Sequence, residues 1–139
     1  LDRKKLGGLV FSDPAQLDTL NRIVYFHVRR AVETIRAEKK ACGCTLFAVD
    51  AINLIQSGLA SLCDVTVGIT APQEVRLARI MARDGIERRY ALLRIRAQEP
   101  ESYFRTHCTY ILENGEISQE EFQIQAEALL DKIIKENAK

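Results

Sequence analysis

The chain has 139 residues, 47% of them apolar and 28% charged, a composition typical of one folded domain and not of a disordered chain. The 20 lysines and arginines nearly balance the 19 acidic residues, so a net charge of +1 gives no overall reason to expect a nucleic acid or a membrane as partner. No apolar run approaches the roughly 20 residues of a membrane helix. The four cysteines lack zinc-site spacing, which favours reduced thiols in a cytoplasmic protein.

The first half of the chain is predicted to contain a short helix, a long helix and a buried strand. Asp13 and Pro14 are typical of a helix start, and apolar residues at helical spacing predict a helix over 14–40. The glycine of the Cys42-Gly43-Cys44 segment ends it. The nearly continuous apolar run at 45–50 predicts a strand buried on both faces of a parallel sheet. A polar helical stretch follows.

The second half alternates strands and helices. This alternation predicts the α/β class, with a parallel sheet flanked by helices in a single domain over 1–139. The predicted elements are a strand at 65–71, a helix from Pro72 to Asp84-Gly85, a helix at 87–98, a strand at 109–112 and a last helix that Ser118 and Glu121 open as a capping box.

The ends of the predicted strands are the first place to expect a ligand. In open parallel sheets, ligands bind beyond the carboxyl ends of the strands, so Asp50, residues 70–72 and residues 113–115 are expected to form one rim. A carboxylate after a buried strand could hold Mg²⁺ directly or through water. The alternative for Asp50 is a cap on the following helix.

The segment 76–105 is locally basic. Arginine suits bidentate phosphate recognition, so the cluster as a whole favours anion binding, whereas for any single arginine a solvated helix face is the better explanation. Gly85 allows a hinge at the end of its helix. The arginines are 76, 79, 83, 88, 89, 94, 96 and 105, against the acidic residues 84, 87, 99 and 101.

Neither histidine is predicted to be catalytic. His27 lies on the apolar face of the long helix, which favours a place at the edge of a core. His107 is expected in a loop beside Cys108, and adjacent residues rarely point together as a nucleophile and its base. None of the seven glycines belongs to G-x-x-x-x-G-K-[ST] or G-x-G-x-x-G, so the chain contains no recognisable phosphate-binding loop.

Six segments together resemble one family, and they extend over essentially the whole chain. The segments LDRKKLGGLVFSDP, LNRI, VDAINLIQSGL, TAPQEVRLARIMARDG, LLRIRAQEP and TYILENG are similar, in this order, to dephospho-CoA kinases. The resemblance implies a P-loop fold like that of the nucleoside-monophosphate kinases. It also implies transfer of the ATP γ-phosphoryl group to the 3′-hydroxyl of dephospho-CoA, with Mg²⁺, in the cytoplasm, without a nucleic-acid or membrane partner.

The family's P-loop and first strands have no counterpart in these 139 residues. The sequence also starts without Met and within a helical pattern, which predicts that it is part of a longer chain. The resemblance implies that the missing strand lies between strands 45–50 and 65–70. The chain alone is therefore expected to be inactive, with self-association or another segment covering the gap.

The resemblance also implies roles for individual residues. Asp50 matches the acidic residue near Mg²⁺ and substrate, and Arg83 matches a catalytic lid arginine that neutralises the transferring phosphoryl group. The remaining expectations are substrate contacts at Gln56, Arg94 and Gln98, ATP contacts at Asn114 and Gly115, a helical substrate-side segment at 1–41 and a lid-like helical segment at 84–106.

Two departures from the family pattern keep a second function open. Gln56 stands where the family often has Glu, and Val24-Tyr25-Phe26 stands where it has T-H-P. These changes favour a non-catalytic module that binds CoA, a nucleotide or a protein partner. Nucleic-acid binding through the basic segment is a third possibility, which the net charge of +1 disfavours.

Overall fold

The structure is a computed structural model that describes residues 2–10 and 13–137. Leu1, Phe11 and Ser12 of the first family-like segment lie outside the described residues. The chain divides into two compact units, Leu1–Asp64 and Val65–Lys139. The first unit contains α1 (Arg3–Val10), α2 (Pro14–Ala41) and a 3₁₀ helix (Leu59–Leu62). The second contains β1 (Val67–Thr70), α3 (Gln73–Asp84), α4 (Arg88–Arg96), α5 (Glu101–His107), β2 (Tyr110–Glu113) and α6 (Gln119–Asn137).

The long helix α2 forms as predicted because its ends carry strong start and stop signals. The Asp13 carboxylate accepts a hydrogen bond from the backbone N–H of Ala15 at 2.9 Å, and Pro14 occupies the first turn. Cys42 caps the carboxyl end. No residue of α2 is buried, and His27 is exposed beside Phe26. The prediction that His27 lies at a core edge is therefore wrong.

The predicted strand at 45–50 is also wrong. These residues form no strand ladder, and the backbone N–H groups of 45–52 donate no hydrogen bond within the described chain. Leu46 is 54% exposed and Ile52 is 95% exposed. A strand is defined by its hydrogen-bonded neighbour, and an apolar run alone does not supply one. The stretch after it forms turns that lead to the 3₁₀ helix.

The second unit contains the parallel pairing that the sequence predicts. β1 and β2 pair in parallel, from Val67 opposite Tyr110 to Thr70 opposite Glu113. Just before the strands, the Thr66 N–H donates to the Thr109 hydroxyl at 3.2 Å, and the Thr109 N–H donates to the Thr66 hydroxyl at 3.0 Å. This reciprocal pair fixes the register at the amino ends of both strands. These two strands form the one sheet found among residues 2–10 and 13–137.

The helices of this unit pack around two contacts. Leu77 of α3 is 1% exposed and packs with Ala91 and Ile95 of α4, which makes a small apolar core. Gly68 of β1 allows close approach of α5, because a Cβ there would lie 2.9 Å from Ile111 Cδ1 and 3.3 Å from Phe104 Cβ.

The helix α5 was not predicted as a separate element. His107 is the last residue of α5 and not a loop residue. Pro100 ends the preceding helical pattern but also occupies the N-cap position of α5. Glu101 and Arg105 then form a hydrogen-bonded ion pair one turn apart, at 2.7 Å.

The last helix begins with the predicted capping box. The Ser118 N–H donates to Glu121 Oε2 at 2.8 Å, and the Glu121 N–H donates to Ser118 Oγ at 3.1 Å. The Ser118 contacts lower the pKa of the Glu121 carboxyl. At its other end α6 contacts β2, where the Tyr110 hydroxyl donates to Glu136.

Candidate anion-binding site

Two arginines meet on one carboxylate at the end of α3. The Arg83 guanidinium donates to both carboxylate oxygens of Asp84, at 2.7 and 3.1 Å, and Arg94 of α4 donates to the same carboxylate. The Asp84 side chain is 21% exposed, whereas Arg83 is 73% exposed and Arg94 54% exposed. Asp84 therefore holds two cationic side chains together while their outer faces remain in solvent.

The electrostatics of this cluster favour the charged forms of Arg83 and Asp84. The hydrogen bond from Arg83 is the main cause that lowers the pKa of Asp84, and the same bond raises the pKa of Arg83. Two arginines against one carboxylate leave a local net positive charge. An anion that bridges both guanidinium groups would find donors already gathered on one side of the α3–α4 pair.

Arg79, one turn earlier on α3, fixes the turn that follows β2. Its guanidinium donates to the Asn114 backbone oxygen, the Asn114 Oδ1 and the Gly115 backbone oxygen, each at 3.0 Å. Gly115 is buried. Sequence reasoning included Arg79 in the basic cluster but gave it no role. Arg79 lies three residues after Arg76 and four residues before Arg83, so all three lie on one face of the helix. This spacing was the signal in the sequence that could have identified Arg79.

The carboxyl ends of the two strands lie beside this turn. The Asn114 N–H donates to the Thr70 backbone oxygen at 2.7 Å, so the two strand ends stay paired. The Thr70 hydroxyl is buried and has no hydrogen-bond partner among the described residues. A buried polar group without a partner is costly, which makes this strand edge a suitable place for a hydrogen-bonding ligand.

The structure thus brings together part of the predicted set. Arg83 and Arg94 share Asp84, and Asn114 and Gly115 share Arg79. Gln98, just beyond α4, accepts a hydrogen bond from Arg76. All of these residues belong to the unit Val65–Lys139.

The two remaining predicted residues belong to the other unit. Asp50 and Gln56 are both exposed, and neither makes a hydrogen bond or ion pair within the described chain. The alternative of Asp50 as a helix cap finds no support, because turns follow it and no backbone N–H donates to its carboxylate. Its neighbourhood contains no group of three or more potential metal-ligating side chains within the ranges that the structure describes.

Contacts from α2 hold the segment after Asp50. Arg29 donates to the Gly58 backbone oxygen at 3.3 Å and to the Ser61 hydroxyl at 3.2 Å. Asn53 donates to the Tyr25 hydroxyl at 3.3 Å. Tyr25 stands where the resemblance has the histidine of T-H-P, and its hydroxyl accepts this hydrogen bond from the segment between Asp50 and Gln56.

A parallel α/β unit with an arginine bound to the turn beyond its strand ends is the class of fold that binds phosphorylated ligands in many proteins. A sequence profile described as CoaE, dephospho-CoA kinase, matches residues 1–119. The chain belongs to the dephospho-CoA kinase family.

Individual relatives agree with this family assignment. A dephospho-CoA kinase from Lactobacillus johnsonii is 32% identical over 114 residues, which cover 82% of this chain and 58% of the relative. One from Thermus thermophilus is 38% identical over 114 residues, or 82% of this chain and 55% of the relative. One from Deinococcus radiodurans is 36% identical over 127 residues, or 91% and 61%. The chain thus spans little more than half the length of these relatives.

Solved structures share the fold. A crystal structure of a Thermus thermophilus protein matches 95% of this chain and 67% of its own, with 34% identity and a TM-score of 0.69. The structure of a dephospho-CoA kinase from Campylobacter jejuni matches 99% and 67%, with 24% identity and a TM-score of 0.67. The likeness to the second shows the fold alone. In the part of the chain that the structure describes, no helix is long and apolar enough to cross a bilayer.

Proposed function

We propose that this sequence serves dephospho-CoA kinase activity, the transfer of the ATP γ-phosphoryl group to the 3′-hydroxyl of dephospho-CoA in coenzyme A biosynthesis in the cytoplasm. The observation that carries the proposal is the arginine pair on Asp84, which lies in the RDG segment of the family-like pattern. Phosphoryl transfer depends mainly on positioning and on neutralising charge, and two preassembled guanidinium groups supply both.

Each candidate residue takes a part in this proposal. Arg83 contacts the transferring phosphoryl group, and Arg94 contacts a phosphate of the bound substrate. The turn at Asn114-Gly115, which Arg79 holds, contacts the adenine of ATP. At the same carboxyl ends of the strands, the buried Thr70 hydroxyl is available to form a hydrogen bond with the ligand. The segment 84–106 acts as the lid, and its Gln98 accepts a hydrogen bond from Arg76 of α3.

For Mg²⁺, the described residues offer one candidate protein ligand, the carboxylate of Asp50. Mg²⁺ keeps several waters and takes one or two protein carboxylates beside the phosphates of a nucleotide. Asp50 is a single exposed carboxylate, so it suits contact with an ion that arrives with ATP and not a preformed cage. When bound, the metal would neutralise charge on the ATP phosphates.

The substrate side of the proposal rests on the first unit. The helical segment 1–41 and Gln56 provide the dephospho-CoA contacts, with Tyr25 and Asn53 shaping the segment between them. Gln56 keeps hydrogen-bonding capacity but lacks the charge of the family's glutamate. We retain the binding module without catalysis as the second candidate because of this change. Self-association across the open edge of the sheet stays a prediction, which size-exclusion chromatography would test.

The experiment separates binding from turnover. Calorimetry of the 139-residue chain with ATP and with dephospho-CoA measures binding. Turnover is measured on the natural protein, by mass spectrometry that follows the conversion of dephospho-CoA to CoA. We expect Arg83→Ala to lower turnover at least 100-fold, since an arginine finger contributes on the order of 10³ or more. Arg89→Ala, whose exposed partner is Glu87, is the matched control.

Three outcomes decide between the candidates. Turnover that depends on Arg83 and not on Arg89 supports the kinase. Binding of dephospho-CoA without turnover in the natural protein supports the binding module. Absence of both binding and turnover contradicts both candidates.

A further inference from the structure

Two free thiols lie just after the carboxyl end of α2, on either side of Gly43. Cys42 and Cys44 are both exposed, and one residue, Gly43, separates them. Neither belongs to the candidate anion-binding site, which lies in the other unit. Two exposed thiols this close in sequence are an unusual feature for a protein surface, where free cysteine is normally buried.

The backbone around these thiols forms a defined helix end. The Gly43 N–H donates to the Lys40 backbone oxygen and the Cys44 N–H donates to the Lys39 backbone oxygen, each at 3.0 Å. This pair of bonds is a Schellman motif, with Gly43 in the left-handed region at φ +81°. A Cβ added to Gly43 would meet nothing within 4 Å, so open space surrounds the turn between the two cysteines.

The other two cysteines have a different environment. Cys63 and Cys108 are partly buried, and burial is the main cause that raises the pKa of each thiol. The thiolate is the reactive form, so these two residues react more slowly with oxidants. They serve as internal references for the exposed pair.

We propose that Cys42 and Cys44 form a dithiol site that a small-molecule disulfide oxidises to an internal Cys42–Cys44 disulfide. One thiolate attacks the small disulfide, forms a mixed disulfide and releases the first small thiol. The second cysteine then attacks the cysteine sulfur of the mixed disulfide and releases the second small thiol. The two cysteines lose two electrons and two protons, and the small disulfide takes them up as two thiols.

The surroundings favour both steps. Lys39 and Lys40 lie in the last turn of α2, and their positive charge attracts an anionic disulfide such as oxidised glutathione. The second step is intramolecular, so the partner thiol is present at a high effective concentration. Glycine between the cysteines removes the Cβ that would restrict rotation of the chain.

Disulfide formation has a structural consequence at the helix end. A disulfide brings the two Cβ atoms to about 3.8 Å, and in a loop this short the backbone dihedral angles of Cys42, Gly43 and Cys44 must accommodate that distance. We therefore expect the Schellman hydrogen bonds of Gly43 and Cys44 to open on oxidation. The oxidation state of the pair thereby controls how the segment 45–52, which contains Asp50, leaves α2.

The test uses the full chain, reduced and kept free of oxygen. Samples equilibrate with reduced and oxidised glutathione over a series of ratios, are quenched in acid and alkylated, and are analysed by intact mass and peptide mapping. We expect loss of two hydrogens, a peptide in which Cys42 is linked to Cys44, and two remaining alkylated thiols at Cys63 and Cys108. Amide exchange at Gly43 and Cys44 should become faster in the oxidised protein.

Two variants keep the result interpretable. Cys44→Ser should stop at a glutathione adduct on Cys42, with complete loss of the internal link. The double variant Cys63→Ser, Cys108→Ser should oxidise at Cys42 and Cys44 like the parent chain. Glutathione adducts on both cysteines without a linked peptide, or oxidation that needs Cys63 or Cys108, would overturn the proposal, as would unchanged exchange at the two amides.

Discussion

At the scale of single residues, Arg79 makes three hydrogen bonds in the candidate site. Its three hydrogen bonds to Asn114 and Gly115 join α3 to the turn after β2. We expect Arg79→Ala to lower the free energy of unfolding by about 1–2 kcal/mol, because a charged donor is lost to partly buried carbonyl groups. Urea denaturation measures this change.

The control for Arg79 is an arginine with a solvent-exposed partner. Arg22 pairs with Asp18 one turn away on α2, and both side chains are at least 70% exposed. Arg22→Ala is expected to cost less than about 0.5 kcal/mol. Equal losses in the two variants would remove the special role of Arg79.

Asp84 predicts a pH dependence with a definite sign. Its pKa is lowered below the ordinary value of 3.8 in the folded protein, chiefly by the hydrogen bond from Arg83. The unfolded state therefore binds more protons at acid pH, and the stabilisation is present above about pH 5 and lost as the pH falls through the lowered pKa. Asp84→Asn should lack this contribution.

Unfolding curves from pH 7 to pH 2 test this prediction. The difference in stability between the parent chain and Asp84→Asn should shrink as the pH falls. Asp131→Asn, at an exposed position of α6, is the control and should leave the pH profile of the parent chain unchanged. A constant difference at all pH values would contradict the assignment of the effect to the Asp84 carboxylate.

At the scale of elements, the capping box determines where α6 begins. Ser118→Ala removes the acceptor for the Glu121 N–H, and we expect a loss of about 1 kcal/mol in the free energy of unfolding. Ser118→Asp keeps an oxygen acceptor and should recover most of the loss. Circular dichroism during thermal unfolding compares the three proteins, and equal stabilities would show that this cap does not limit α6.

The elements also show what the sequence could and could not predict. Helix α2 and the start of α6 were predictable because side chains within four residues determine them, namely Asp13, Pro14, Ser118 and Glu121. The parallel pair was predictable from the alternation of strands and helices. The prediction at 45–50 was wrong because an apolar run shows that residues could be buried but does not show that a neighbouring strand is there to pair with them.

The candidate site was predictable to a similar extent. The family-like segments supplied Arg83, Arg94, Asn114 and Gly115, which the structure places in two contact groups. The carboxylate that joins Arg83 to Arg94 and the arginine that holds Asn114 were not assigned, because both contacts join residues ten or more positions apart. Helical spacing identifies one face of a helix but not the element packed on it.

At the scale of the whole molecule, backbone hydrogen bonds and buried apolar side chains are concentrated in some segments and are lacking in others. The strands and the α3–α4 core have hydrogen bonds and buried apolar side chains, whereas residues 45–52 have exposed apolar side chains and no donated backbone hydrogen bonds within the described chain. We expect hydrogen exchange to be slow at 67–70 and 110–113 and fast at 45–52. Exchange followed by mass spectrometry measures both sets in one sample.

In the same hydrogen-exchange experiment, the middle of α2 serves as the reference. Residues in the middle of α2 are exposed to solvent but hydrogen-bonded along the helix, so they should exchange more slowly than 45–52. Protection at 45–52 equal to that of the strands would contradict the lack of backbone hydrogen bonds at these residues and would support a strand there.

The reciprocal bond between Thr66 and Thr109 has a consequence for how the chain reaches this structure. The two residues are 43 positions apart, and closing so long a loop costs conformational entropy before any strand contact compensates for it. The helices between them depend on local contacts and form sooner. We therefore expect strand pairing to be a slow step in folding, later than the formation of the helices between the two threonines.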